Sequence, residues 1–167
     1  MSERAEHAPA VPAAVLDTSA LVSEQRHWLW LLARDGYYKA FWSTFIIAEL
    51  VRVRVEHSIA HGTARDLYRQ RINNLIHQLS DVLLLADYRS IELGAVLPDP
   101  DDEPILAAAL AARAGYVVSH NVRDFPTGGQ AIGVRFVTPA QFLAVLEATE
   151  PDAGLAQRAA EPGMRLP

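Results

Sequence analysis

Two spacings of apolar residues alternate along this chain. Short unbroken apolar runs read as buried strands: "AAVLD" (13–17), "KAFWST" (39–44), "DVLLLA" (81–86), "YVVS" (116–119) and "RFVT" (135–138). Between them, apolar residues recur at helical intervals. A helix is expected over 18–36 with Gly36 as its C-cap, and another over 44–57 with Thr44 as N-cap. Over 63–80, Leu67, Ile72, Leu75, Ile76 and Leu79 fall on one stripe and mark an amphipathic helix. An Ala-rich helix over 103–115 ends at Gly115, and a last one, 139–148, carries Pro139 in its first turn.

Strands that alternate with helices imply an α/β fold: a three-layer α/β/α sandwich with a mostly parallel central sheet. The folded unit is expected over 13–146. Residues 1–12, Pro/Ala-rich and polar, read as a flexible leader, and 147–167 as a flexible C-terminal tail. In such folds ligands bind beyond the carboxyl ends of the strands. Asp17 stands at one such end, and the loop with His120, Asn121 and Asp124 follows another.

Acidic residues cluster around these positions. In "LPDPDDEPILAAALAARAG", Asp99, Asp101, Asp102 and Glu103 fall within five residues, just before an apolar helix. Asp101 or Asp102 could cap that helix, but one cap needs one Asp. Asp17 could cap the helix after the first strand, although Thr18 and Ser19 are equally able to. Glu49 sits in an apolar turn, with Phe45, Ile46 and Val53 at helical spacing, so it should face the core or a crevice. An unpaired buried carboxylate is costly, and a cation beside it removes that cost. Asn121 and Asp124 read singly as turn residues. Together, acids from a strand end, a helix, a helix start and a loop could converge at one end of a parallel sheet. Mg²⁺ or Mn²⁺ is the cation that such oxygen ligands would hold.

Composition narrows the chemistry. The 167 residues suit one domain, and a net charge of −5 argues against coating nucleic acid through bulk charge. With no cysteine, disulfides, thiolate metal sites and cysteine nucleophiles are excluded. No apolar stretch approaches the roughly 20 residues that span a bilayer, and the N-terminus has no signal-peptide core, so a cytoplasmic protein without membrane attachment is expected. No G-x-G-x-x-G follows the first strand, which argues against a dinucleotide enzyme. Position 19 is Ser, where a haloacid-dehalogenase-type phosphatase wants a second Asp.

"LDTSALVS", "AEL", "PDPDDEPILAAALAARAGYVVSHNVRDFP" and "VTPAQFL" together resemble a PIN domain, especially the single-domain bacterial proteins that include VapC-like toxins. The resemblance covers about residues 14–146. It implies a metal-dependent ribonuclease that leaves a 5′-phosphate and a 3′-hydroxyl. Carried over by position, Asp17, Glu49 and Asp102 resemble the family's first three acids, and Asp99 an additional one. Ser19 resembles a supporting hydroxyl, and Ser119 stands where Thr is usual. The fourth acid is replaced by Asn121, with Asp124 three residues on as a second candidate ligand. The resemblance further implies an RNA substrate, a small antitoxin partner and a homodimer, for which the apolar "HWLWLL" (27–32) offers a surface unless it is core. Arg26, Arg52, Arg54 and Arg123 are candidate phosphate contacts. Trp28, Trp30 and Trp42 lie in apolar surroundings and read as packing residues. A non-catalytic interaction module and a solitary RNA-processing nuclease are the alternative readings.

Overall fold

A computed structural model describes residues 11–93, 97, 99–123 and 133–149. Each expected strand forms, although shorter than its apolar run: β1 Ala13–Leu16, β2 Lys39–Trp42, β3 Leu84–Leu85, β4 Tyr116–Val118 and β5 Arg135–Val137. They make one five-stranded sheet in the order β3-β2-β1-β4-β5, and every neighbouring pair is parallel. Ala14, Val15 and Leu16 are all buried, as are Val117 and Val118. Successive side chains of a strand point to opposite faces, so the sheet is covered on both. This is the expected α/β/α layering.

The helices are α1 Thr18–Leu21, α2 Arg26–Arg34, α3 Thr44–Ala60, α4 Arg65–Ser80, α5 Glu103–Ala111 and α6 Pro139–Thr149. The single helix expected over 18–36 is thus two. Ser23 breaks it: its amide and its Oγ both bond to the Ala20 carbonyl, the latter at 2.7 Å, which stops the ladder after one turn. The break falls in the polar run of residues 23–27, between the apolar positions Val22 and Trp28, a gap that the single expected helix spanned. Gly36 follows the cap residue Asp35 with φ 83°, and Tyr37 N–H reaches back to the Leu32 carbonyl at 2.9 Å, closing a glycine-dependent turn. The N-cap of α3 is Ser43, one residue before the expected Thr44; its Oγ accepts from Ile46 N–H at 3.3 Å. Helix α6 runs to Thr149, beyond the expected boundary at Leu146. Among the described residues, no helix is long and apolar enough to cross a membrane.

The stripe on α4 meets the core only toward its C-terminal end, where Leu75 and Ile76 pack against it. Of its residues only Leu79 is buried, and Leu67 is 44% exposed. The reason is length. A helix of 17 residues such as α3 is roughly 25 Å long, whereas a four-residue strand spans roughly 13 Å. Only Ile46 and Leu50, in the first half of α3, are buried. Its far end and the start of α4 pack on each other beyond the sheet, leaving Ile59 and Leu67 in solvent. The last turn of α4 is tied back by Trp30, whose Nε1 donates to the Gln78 carbonyl at 3.0 Å. Trp42 is buried in the core, and so are Leu29, Leu31 and Leu32 of the "HWLWLL" stretch, which is therefore mostly core.

Helix α5 ends before Gly115. Arg113 occupies the left-handed region at φ 52°, with Arg113 N–H on the Leu110 carbonyl and Ala114 N–H on the Ala109 carbonyl. Left-handed backbone costs a residue with a Cβ roughly 1–2 kcal/mol. Arg113→Gly is therefore expected to raise stability by about 0.5–1 kcal/mol, read as a higher urea midpoint at unchanged slope.

Candidate active site

The chain leaves β1 outward to β2 and β3, then returns to place β4 on the other side of β1. The crevice beyond the ends of β1 and β4 is thus the point where strand order reverses. Asp17 N–H extends the ladder by donating to the Val118 carbonyl at 3.0 Å, which fixes Asp17 at that crevice. Its side chain is 7% exposed and fully engaged. Oδ1 accepts from Thr18 N–H at 2.7 Å, and Oδ2 accepts from the hydroxyls of Ser19 and Ser119, each at 2.8 Å. Asp17 is also the N-cap of α1, the role that sequence reasoning gave equally to its neighbours.

The two serines close the seam between β1 and β4. Ser119 Oγ accepts from Asn121 N–H at 3.0 Å, and Ser19 Oγ from His120 N–H at 2.9 Å. The loop after β4 is thereby hung on the same hydroxyls that hold Asp17. Glu49 comes from α3. Its Oε2 accepts from Thr18 Oγ1 at 2.6 Å, and Arg52 approaches Oε1 at 3.8 Å. Thr18, read from sequence only as a possible cap, is the link between the first two acids. Its signal was weak: a Thr after a strand-end Asp looks like any helix start.

The third group of acids stands on a 3-10 turn, Pro100–Asp102, that leads into α5. Asp99 caps this turn, accepting from Asp101 N–H at 2.9 Å, and Asp102 is the residue before α5 without a side-chain cap bond to it. Asp102 thus takes the expected N-cap position of α5 but makes no side-chain bond there, and the side-chain capping is done one element earlier by Asp99.

All of these open on one cleft of about 750 Å³. Asp17, Glu49, Asp99, Asp101, Asp102 and Asn121 line it, with Arg52 the one cation among the lining residues. Ser19 and Thr18 form part of its floor, and Val22, Phe45, Val53 and Ile105 supply apolar walls. Asp101 was not among the expected site residues. Ser119 is buried behind Asp17. Arg26 and Arg123 do not line the cleft, Arg52 does, and Asp124 lies outside the described residues.

The donor set fits a hard divalent ion in kind: it is all oxygen, on one wall, in a space that admits a hydrated cation. Among the described residues no three acids are yet drawn together tightly enough to hold one. Asp17 and Glu49 are braced to each other through Thr18.

Comparison with curated proteins finds no match. Among solved structures, VapBC2 from Rickettsia felis bound to a DNA fragment from its promoter contains a similar chain, 14% identical, covering 75% of this chain and 98% of that one at a TM-score of 0.46. VapBC-1 from nontypeable Haemophilus influenzae contains another, 15% identical, covering 77% and 98% at a TM-score of 0.47. The family model described as PIN domain matches residues 13–123. That span runs from the first residue of β1 through the loop after β4 and includes every acid of the cleft, so this chain belongs to the PIN domain family.

Proposed function

We propose that the chain is a metal-dependent endoribonuclease whose active site is this cleft. The observation that carries the reading is the convergence of acids from β1, α3 and the α5 entrance on one crevice at the reversal of strand order. Asp17, Glu49 and Asp102 would hold Mg²⁺ or Mn²⁺, with Asp99 and Asn121 or Asp124 completing the ligands. When bound, the ion lowers the pKa of a water and offsets charge on the phosphate being cut. The chain's own residues do the positioning. Ser19 and Ser119 fix the Asp17 carboxylate from the side, and Thr18 fixes that of Glu49. Phe45 and Val53 keep one wall dry. Asn121, on the serine-bound loop, offers a carbonyl oxygen where the family carries an acid.

The test is direct. Purified protein is expected to cut single-stranded RNA with Mn²⁺ and to stop with EDTA, leaving 5′-phosphate ends by mass spectrometry. Mn²⁺ should also raise the melting temperature, since an ion that binds only the folded chain stabilises it. Neither cleavage nor stabilisation at millimolar Mn²⁺ would overturn the reading.

Within that activity, the VapC-like motifs favour the toxin of a type II toxin–antitoxin pair, a cytoplasmic homodimer silenced by a small protein partner. Co-expression with the product of an adjacent short reading frame should yield a stable complex with suppressed RNA cleavage. Unaltered cleavage beside that product would leave the solitary nuclease.

A further inference from the structure

Four arginines are candidates for holding RNA, and their surroundings separate them. Arg52 is occupied: it bonds to Glu56 at 3.0 and 3.2 Å and sits 3.8 Å from Glu49. Arg54 is not. It extends the inward face of α3 one turn beyond Leu50, and its Nε is buried with no hydrogen-bond partner. Among the described residues neither Arg54 nor Arg26 has an ion-pair partner. Burial first, and repulsion from Arg26 second, hold the Arg54 guanidinium below the ordinary arginine range. The next residue of α2, His27, buries both ring nitrogens without a partner. Its pKa is pushed below the usual histidine value by burial first, then by Arg26 and Arg34. This corner of the molecule is thus positive, partly dry and unsatisfied. A half-buried guanidinium with a buried, unbonded Nε and no counter-charge is a cost to folding. It becomes favourable only when an anion arrives.

The corner adjoins the cleft. Arg54 follows Val53 on α3, and Arg26 opens α2 four residues after Val22, across the break at Ser23; both valines line the cleft wall, and the two arginines stand behind them. We propose that Arg54 and Arg26 together bind a phosphate of the RNA strand beside the bond to be cut, at the Val22–Val53 rim of the cleft. The identity of the strand rests on the nuclease reading above; the phosphate site itself does not. A guanidinium fork suits a phosphate's paired oxygens, and two forks on separate helices would fix its direction as well as its position.

Two measurements test this on the full chain. In phosphate-free buffer, Arg54→Met is expected to raise the melting temperature, because an apolar side chain replaces an unpaired charge. Inorganic phosphate should stabilise the wild type and should stabilise neither Arg54→Met nor Arg26→Gln. With single-stranded RNA, each variant should bind about tenfold more weakly, and the salt dependence of binding should flatten by about 0.7 in log–log slope for each lost phosphate contact. Arg54→Lys, which keeps the charge and loses the fork, should fall between. A lower melting temperature for Arg54→Met without phosphate would mean that the guanidinium is satisfied within the fold, and would overturn the proposal. So would wild-type stability indifferent to phosphate, which would leave a carboxylate of a partner protein as the missing group. Phosphate stabilisation in a chain that never cuts RNA would uphold the site and sink the nuclease reading. Unchanged RNA affinity in both variants, with cleavage intact, would do the reverse.

Discussion

Asp17→Asn is expected to lower RNA cleavage by about 10²- to 10³-fold or more while the fold survives. The loss follows from charge. The neutral amide removes one full negative charge from the spot where β1 and β4 meet, and stabilisation by a bound ion amounts to several kcal/mol of barrier, each ~1.4 kcal/mol being tenfold. The survival follows from the hydrogen bonds. The amide keeps an oxygen for Thr18 N–H, now at 2.7 Å, and presents N–H groups toward Ser19 and Ser119 Oγ, whose hydroxyls can turn and accept. A cost of about 1 kcal/mol is expected from the rearranged hydroxyls. Measured together, cleavage in Mn²⁺ and the urea midpoint separate the two effects. Activity of the Asp17→Asn variant within a few-fold of wild type would remove Asp17 from the site. Loss of activity with an equal loss of folding would make it a structural residue.

Phe142→Ala should carry the largest stability loss of any single truncation considered. Phe142 is fully buried and joins α6 to the sheet and to the segment between α2 and β2. Its ring meets Tyr38 edge-on, centroids 4.9 Å apart at 80°, and Tyr116 of β4 at 5.3 Å. Tyr38 is itself fixed, its hydroxyl donating to the Leu29 carbonyl at 2.8 Å, and burial pushes its ionisation well above the usual tyrosine range. Truncation leaves a cavity between α6 and the sheet, for which about 3–5 kcal/mol is the usual cost. Edge-to-face ring contacts add about 1 kcal/mol. Against a total of about 5–15 kcal/mol, that is a third or more of the stability. Urea unfolding measures it. A loss below about 1 kcal/mol would mean that α6 is not anchored through this ring.

The sequence made the sheet legible because a parallel strand buried on both faces is an unbroken apolar run, and because β1 ends on an Asp where polar groups are otherwise out of place. Glu49 was legible for a similar reason: an acid within Phe45, Ile46 and Val53 needs a crevice. Hydrogen-bond geometry was not legible. Nothing in the order of residues says that Thr18 braces Glu49 or that Asp99 caps a 3-10 turn ahead of α5. The α4 stripe showed which side of the helix is apolar, but not that only its C-terminal half, Leu75, Ile76 and Leu79, would meet the core. Arg113 hid the end of α5, since a left-handed arginine has no sequence signature and Gly115 two residues later does.

The bond between Ser119 and Asp17 joins residues 102 positions apart. In a sheet with no hairpins, the middle strand acquires its second neighbour only after nearly the whole domain has left the ribosome. A nascent chain therefore carries Asp17 for most of its synthesis with only the local bonds from Thr18 and Ser19, and without the one from Ser119. On the nuclease reading proposed above, the site would be completed only when the segment around residue 119 docks.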